Sequence, residues 1–133
     1  MDVNHRIEVR DVFSAAHHLR GVEGPCARNH GHNWRIRVAV EAEALDSNGM
    51  VVDILALASR LRTILDQWEH RDLNEIPPFD AERNPTAENV ALTIAEALRD
   101  DLPRPAGDAP LRLVEVRVGE IDSATAVCRI QVP

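Results

Sequence analysis

The chain of 133 residues has the length of one domain, and its net charge of -7 with 28% charged residues is typical of an acidic globular protein. We see no basic stripe, which argues against nucleic acid as a partner because such binding needs clustered cations. All basic side chains other than histidine are arginine, which excludes lysine Schiff-base chemistry. We therefore expect one domain over residues 1–133.

Two strands are predicted in the first third of the chain. From Ile7 to Leu19 apolar residues alternate with polar ones, apart from Asp11, as in a strand with one buried face. A second alternating phase runs from His32 to Val40. We expect these two strands to pair in antiparallel fashion.

Two amphipathic helices and two further strands follow. The first helix is predicted to be capped at or near Asp53, and Pro85 with Thr86 is predicted to open the second. Alternation then predicts strands over 114–118 and 124–132, joined by a turn at Asp122. The order strand, strand, helix, helix, strand, strand predicts an α+β fold, in which an antiparallel sheet carries both helices on one face.

The cellular location is predicted from the number of cysteines, the N-terminal residues and the length of the apolar runs. Cys26 and Cys128 are far apart and too few for a disulfide framework. The N-terminal residues lack the apolar core of a signal peptide. The apolar runs are much shorter than the ~18 to 20 residues that cross a bilayer. We expect a cytoplasmic protein with no membrane partner.

Three histidines share the apolar phase of the first two strands. His17 continues the phase of the first strand, and His32 continues that of the second. His30 lies two residues before His32, so both imidazoles of this pair project from one face of a strand. Three neutral imidazoles make an open site of the kind that holds catalytic zinc. The alternative is a polar turn that binds no metal, since a His-x-His pair alone is common.

Cys26 lies in the loop between these strands, four residues before His30. A thiolate stabilised by nearby positive charge could act there as a base or a nucleophile. The alternative is a small buried apolar residue, which is the commoner fate of an isolated cysteine. Cys128, in the apolar phase of the last strand, fits that alternative better.

Two carboxylates complete the candidate site. Glu69 precedes His70, and a carboxylate that orients an imidazole is a common proton-transfer device. The alternative is simple solvation of a helix end. Glu120 closes a strand in its apolar phase, where it could accept two parallel N–H bonds from a pterin or guanine ring. The alternative places it in solvent beyond the strand.

Six fragments occur in the order and approximate spacing of one enzyme family. They are FSAAH, CARNHGHNW, GMVVDI, HRDLN, NPTAEN and VGE. Together they resemble the 6-pyruvoyltetrahydropterin synthase and 6-carboxytetrahydropterin synthase family over nearly the whole chain. The resemblance implies the T-fold, or tunnelling fold, which has the order of elements predicted above. It also implies a homohexamer of two stacked trimers.

The resemblance assigns a role to each candidate residue. The implied roles are zinc binding for His17, His30 and His32, catalysis for Cys26, His70 and Glu69, and substrate binding for Glu120. The implied substrate is 7,8-dihydroneopterin triphosphate. The Cys-x-x-x-His-Gly-His spacing resembles the bacterial branch, which forms 6-carboxytetrahydropterin, acetaldehyde and triphosphate on the route to queuosine and other 7-deazapurines.

Three positions depart from the family pattern. Glu69 stands where aspartate is usual, Ile121 where threonine is common, and Trp34 where tyrosine is usual. These changes leave three alternatives open besides the bacterial reaction. They are a 6-pyruvoyltetrahydropterin synthase, a paralogue that acts on a related pterin, and a pterin-binding or zinc-binding module with little catalysis.

Overall fold

The computed structural model describes residues 2–107 and 109–132, apart from the side chain of Leu113. Within these residues five strands and two α-helices follow one another. They are β1 (His5–His17), β2 (His30–Ala42), α1 (Ile54–Asp66), β3 (Arg71–Asp72), α2 (Ala87–Asp100), β4 (Leu113–Ile121) and β5 (Ala124–Gln131). The predicted α+β class is therefore confirmed.

The strands form one sheet in the order β3-β1-β2-β4-β5. The four long strands pair in antiparallel fashion, as predicted, and β1 and β2 stay in register down to the pair His17 and His30. The two-residue strand β3 was not predicted, and it pairs parallel to β1. The parallel pairing of β3 makes the sheet mixed rather than purely antiparallel. A strand of two residues is too short to show the alternation from which strands are predicted.

Both helices begin where the sequence predicts, and both have side-chain caps. The side chains of Asp53 and Thr86 accept hydrogen bonds from backbone N–H groups in the first turn of α1 and α2. Ile54, the first residue of α1, is 48% exposed and so does not join the apolar face of this helix, while Trp68 is buried just beyond the helix end. Among the described residues no helix is long and apolar enough to cross a membrane.

The core lies between the helices and one face of the sheet. Helix α1 packs against β1, and α2 packs against β4 and β5. At the centre Phe13 stacks on Trp34, with ring centroids 5.7 Å apart, and leans against Trp68. Trp34 also touches His17 edge-on at 4.7 Å. The aromatic core therefore reaches up to the histidine end of β1 and β2 and supports it.

Asp11 is the one acidic residue in the apolar phase of β1. Its carboxylate accepts a hydrogen bond from the Arg62 guanidinium of α1, over 2.9 Å from Nη1 to Oδ1. This ion pair between Asp11 and Arg62 explains why an acidic residue interrupts the apolar alternation of β1. It joins α1 to β1 at a position where an apolar contact would otherwise lie.

Candidate metal centre and active site

Three histidines meet where β1 ends and β2 begins. The strand register places His17 directly opposite His30, and His32 lies two residues further along the same face. One ligand nitrogen from each ring lies within 4.8 Å of the other two. The structure thus brings together the three imidazoles that strand phase had grouped.

Backbone carbonyl groups orient two of the three rings. The Nδ1–H of His17 donates to the carbonyl of Pro85 at 2.7 Å, and the Nδ1–H of His30 donates to that of Arg28 at 2.6 Å. These bonds leave the Nε2 lone pairs free, which is how proteins prepare histidines for a metal ion. The buried Nε2 of His17 has no hydrogen-bond partner within the described residues. The donor set therefore fits zinc.

The local environment favours the neutral form of His17 and of His32. Burial is the main cause that lowers the pKa of His17 to about 4. The hydrogen bond to Pro85 raises this pKa, and the neighbouring histidines lower it further. Burial and the nearby His30 also lower the pKa of His32. Neutral rings are the form that binds metal, so these side chains need lose no proton near pH 7.

The depressed pKa of His17 predicts how the metal-free protein responds to acid. Between pH 6.5 and 4 the unfolded chain binds a proton at His17 that the folded chain does not, so the free energy of unfolding falls as the pH falls. We expect His17 to account for about 2 kcal/mol of the loss between pH 7 and 5. Urea unfolding in the presence of a chelator measures this.

The control for this prediction is the His17→Asn variant, which lacks the titrating group. Its stability should fall less steeply than that of the parent over the same pH range, by about the amount assigned to His17. Equal slopes for the two proteins would contradict the buried, neutral state of His17.

Glu120 borders the histidine cluster. Its Oε2 lies 3.4 Å from Nε2 of His17 and 3.9 Å from Nε2 of His32, and burial raises the pKa of the carboxyl group. Between Val118 and Ile121, strand β4 carries one more residue than β5, and such a bulge redirects a side chain. The candidate pterin anchor thus lies next to the candidate metal site, inside the strand rather than beyond it.

Cys26 is exposed in a short 3-10 turn, Pro25–Ala27, in the loop after β1. The backbone N–H of Leu19 donates to the Cys26 carbonyl at 2.7 Å and ties the turn to the end of β1. Its exposure does not fit a buried apolar role. Cys128 is half-buried on β5, and burial raises the pKa of its thiol, as expected of a structural cysteine.

Glu69 and His70, the two residues before β3, both form hydrogen bonds with the backbone of Ser14 in β1. The N–H of His70 donates to the Ser14 carbonyl at 2.7 Å, and the Glu69 carboxylate accepts from the Ser14 N–H at 2.6 Å. The other Glu69 oxygen lies 3.7 Å from Nη2 of Arg62. His70 has a φ of 59°, which is uncommon for a residue with a side chain and is often found at active sites. His70 and His32 line one cleft.

The comparisons with known proteins agree with this geometry. A family model described as 6-pyruvoyl tetrahydropterin synthase matches residues 6–131. The chain belongs to this family. The resemblance drawn from the six fragments is therefore confirmed, and the family supports pterin synthase activity of the lyase type for this chain.

Three members of the family illustrate the similarity. The chain is 36% identical over 114 residues to a dihydroneopterin monophosphate aldolase of Pyrococcus furiosus, covering 86% of this chain and 90% of the relative. It is 33% identical over 122 residues to a 6-carboxy-5,6,7,8-tetrahydropterin synthase of Synechocystis, covering 88% and 85%. The solved 6-pyruvoyl tetrahydropterin synthase of Caenorhabditis elegans has a TM-score of 0.75 at 26% identity and 98% coverage of both chains. The T-fold is confirmed.

Two asparagines that sequence reasoning missed hold the segment after His17. The side-chain amide of Asn74 accepts from the His18 N–H and donates to its carbonyl, at 2.8 and 3.0 Å. Asn84 makes the same pair of bonds with Arg20, at 2.9 and 3.0 Å. Each amide replaces a neighbouring strand as the backbone's partner. Both lie within the HRDLN and NPTAEN fragments, but no local pattern in those fragments indicates this role.

The departure at Trp34 is explained by its surroundings. The indole is fully buried, and its N–H donates to the Ala15 carbonyl at 3.2 Å. Its ring meets the edges of His17 and His32. Trp34 therefore forms the apolar floor of the histidine cluster. Ile121, by contrast, is exposed at the end of β4, and nothing in its contacts explains the substitution.

Proposed function

We propose that this chain is a zinc-dependent 6-carboxy-5,6,7,8-tetrahydropterin synthase, which converts 7,8-dihydroneopterin triphosphate into 6-carboxytetrahydropterin, acetaldehyde and triphosphate. The observation that carries the proposal is the cluster of three imidazoles whose ligand nitrogens lie within 4.8 Å of one another. The Cys-x-x-x-His-Gly-His spacing and the similarity to the Synechocystis synthase support this branch of the family.

In this proposal the zinc ligands are His17, His30 and His32. Zinc bound there would act as a Lewis acid on the hydroxyl groups of the substrate side chain, which makes the adjacent carbons more acidic. Cys26 takes or returns a proton at these carbons, and His70 serves as its proton-transfer partner. These side chains supply general acid and base groups around one substrate.

Glu120 has the role of substrate anchor in the same proposal. Its carboxylate would accept two N–H bonds from the amino-substituted edge of the pterin ring. Partial burial raises the pKa of this carboxyl group and so disfavours its charged form, and two donated hydrogen bonds would stabilise that form again. The position of Glu120 beside the histidines would bring the pterin side chain close to the zinc ligands.

The edge strands of the sheet bear on how the chain assembles. Strand β3 is short, and β5 forms the other edge of the sheet in the described part of the chain, so β5 can pair with another copy. A homohexamer would use such pairing, and residues of one site would come from more than one subunit. The product, 6-carboxytetrahydropterin, would enter the synthesis of queuosine and other 7-deazapurines.

A second candidate function is aldol cleavage of dihydroneopterin monophosphate. It is favoured by the 36% identity to the Pyrococcus furiosus aldolase, which extends over 90% of that protein. The same three histidines and the same proton-transfer groups would serve this reaction, since both reactions move protons on the hydroxylated side chain of the pterin. The number of phosphates on the substrate separates the two functions.

Product analysis tests these alternatives. Zinc-loaded protein is incubated separately with 7,8-dihydroneopterin triphosphate and the monophosphate, and the pterin products are identified by mass spectrometry. We expect 6-carboxytetrahydropterin and acetaldehyde from the triphosphate. Formation of 6-pyruvoyltetrahydropterin would instead indicate the pyruvoyl synthase reaction, and side-chain cleavage of the monophosphate alone would indicate the aldolase. Unchanged substrates would contradict all three and favour a binding module.

The contacts of Glu69 predict the effect of its substitution. A glutamine can still accept the Ser14 N–H bond, so Glu69→Gln should retain kcat within about fivefold, whereas Glu69→Ala should lose more than about tenfold because His70 is then less firmly placed. The pH profile of kcat should keep its shape in Glu69→Gln. A loss of about a hundredfold in Glu69→Gln at unchanged stability would show instead that the carboxylate itself moves the proton.

A further inference from the structure

The face of the sheet opposite the core carries a row of arginines. Register places Arg10 of β1 directly opposite Arg37 of β2, and Arg37 directly opposite Arg117 of β4. Side chains opposed in this way lie about 5 Å apart at Cβ, and like charges at that distance destabilise a sheet. Three cations in succession across three strands therefore call for a compensating interaction. We refer to Arg10, Arg37 and Arg117 as the arginine row.

The neighbouring part of the same face shows the usual compensation. Two residues back along the strands, Glu8 and Glu115 occupy the positions next to the arginine row, and Glu115 lies opposite Arg129. The Arg6 guanidinium contacts Glu8, Glu41 and Glu115 together. Acids and bases thus alternate at that end of the face, whereas the arginine row contains no acid.

The arginine row is left with excess positive charge. In the described parts of the chain no carboxylate oxygen lies within 4.0 Å of the Arg10 guanidinium. Arg37 has only a long contact to Glu8, at 3.8 Å. Arg117 reaches Glu115 at 3.1 Å, but Glu115 is nearly buried and already contacts two other arginines. The side chains of Arg37 and Arg117 remain 41% and 43% exposed, so an anion can reach them.

An open cleft of about 450 Å³ lies over the arginine row. Its lining includes the four arginines Arg10, Arg35, Arg37 and Arg117 and the two carboxylates Asp11 and Asp122. Arg35 lies two residues from Arg37 on the same face, and its own partner, Asp122, is almost fully exposed and so only weakly bound. The cleft therefore presents four guanidinium groups, the Thr125 hydroxyl group and two carboxylates, of which Asp11 already pairs with Arg62 of α1, so the guanidinium groups outnumber the acids.

We propose that this cleft binds a linear oligophosphate, such as inorganic triphosphate or the phosphate tail of a nucleotide. Guanidinium groups bind phosphate oxygens through paired N–H donors, and a chain of phosphates matches a row of them in charge and spacing. The cleft lies on the face of the sheet opposite the core, so the proposal stands apart from the proposed zinc chemistry. The absence of a basic stripe inferred from the sequence is wrong for this face, because arginines far apart in the chain become neighbours only through strand register.

Calorimetric titration with sodium triphosphate tests the proposal. The parent protein is compared with Arg37→Gln and Arg10→Gln. The control is Arg99→Gln, which changes a half-buried arginine of α2 that pairs with Asp100. We expect each variant of the row to weaken Kd by at least about fivefold and the control to leave it unchanged. Without the anion, Arg10→Gln and Arg37→Gln should melt at the same temperature as the parent or higher, because like-charge repulsion is relieved.

Further arms of the experiment identify the ligand and exclude the metal site. Titration with ATP and with sulfate separates a nucleotide tail and a simple anion from free triphosphate, and a Kd at least about tenfold tighter for triphosphate or ATP than for sulfate supports the proposal. If His32→Ala binds triphosphate with the same Kd as the parent protein, the triphosphate does not bind through a zinc ion in the histidine cluster. Equal Kd values of Arg37→Gln and Arg99→Gln for triphosphate would overturn the proposal of an oligophosphate site. A clear fall in the melting temperature of both Arg10→Gln and Arg37→Gln would overturn it as well.

Discussion

Replacing His32 with alanine should reduce bound zinc from about one ion per chain to nearly none and lower turnover of the pterin substrate by at least about 10³-fold. Zinc with only two histidines loses affinity, and two rings cannot hold it in place. His32 is the best position for this test because it is less buried than His17, so the fold should tolerate the change. Elemental analysis and steady-state kinetics measure the two effects.

His18→Ala is the matched control for this prediction. His18 is adjacent to His17, but its ring lies on the other face and approaches the Asn74 amide instead of the cluster. The variant should keep its zinc and most of its activity. Full zinc occupancy in His32→Ala, or an equal loss of zinc in His18→Ala, would contradict the assignment of the three ligands.

Replacing Cys26 with alanine should lower kcat by about 10² to 10⁴-fold, the usual contribution of a group that transfers a proton in the transition state. Substrate binding should remain, because zinc and Glu120 are unchanged. The melting temperature should remain as well, since the exposed thiol makes no core contact. Single-turnover kinetics with a separate binding measurement distinguish a chemical defect from a defect in affinity.

Cys128→Ala provides the opposite pattern as a control. Cys128 is half-buried against the core, so its truncation should cost about 1 kcal/mol of stability and leave kcat unchanged. Undiminished kcat in Cys26→Ala would show that the thiolate takes no part in the reaction. A stability loss in Cys26→Ala would show that the cysteine is structural.

The long elements of the fold could be predicted because each one repeats a periodic pattern. Alternation located the four long strands, and side-chain caps located the starts of both helices. The short strand β3 could not be predicted, because the two residues gain their strand conformation from pairing with β1. The exposure of Ile54 likewise depends on where α1 lies on the sheet, which periodicity does not specify.

The candidate site could be predicted only to the extent that it depends on strand geometry. His17 and His32 could be placed on one face because side chains alternate with a fixed period. The approach of Glu120 to the histidines depends on a bulge in β4, and the bonds of Glu69 to Ser14 depend on how the chain turns after α1. Such contacts arise from tertiary structure, so a sequence motif indicates the residue but not its partner.

Crystallography of the zinc-loaded protein, with anomalous data recorded at the zinc edge, is the most decisive test of the histidine site. We expect one peak per chain, bonded to Nε2 of His17, His30 and His32, with an open coordination position and without Cys26 as a ligand. A peak elsewhere, coordination through Nδ1, or no peak in the histidine cluster would contradict this expectation.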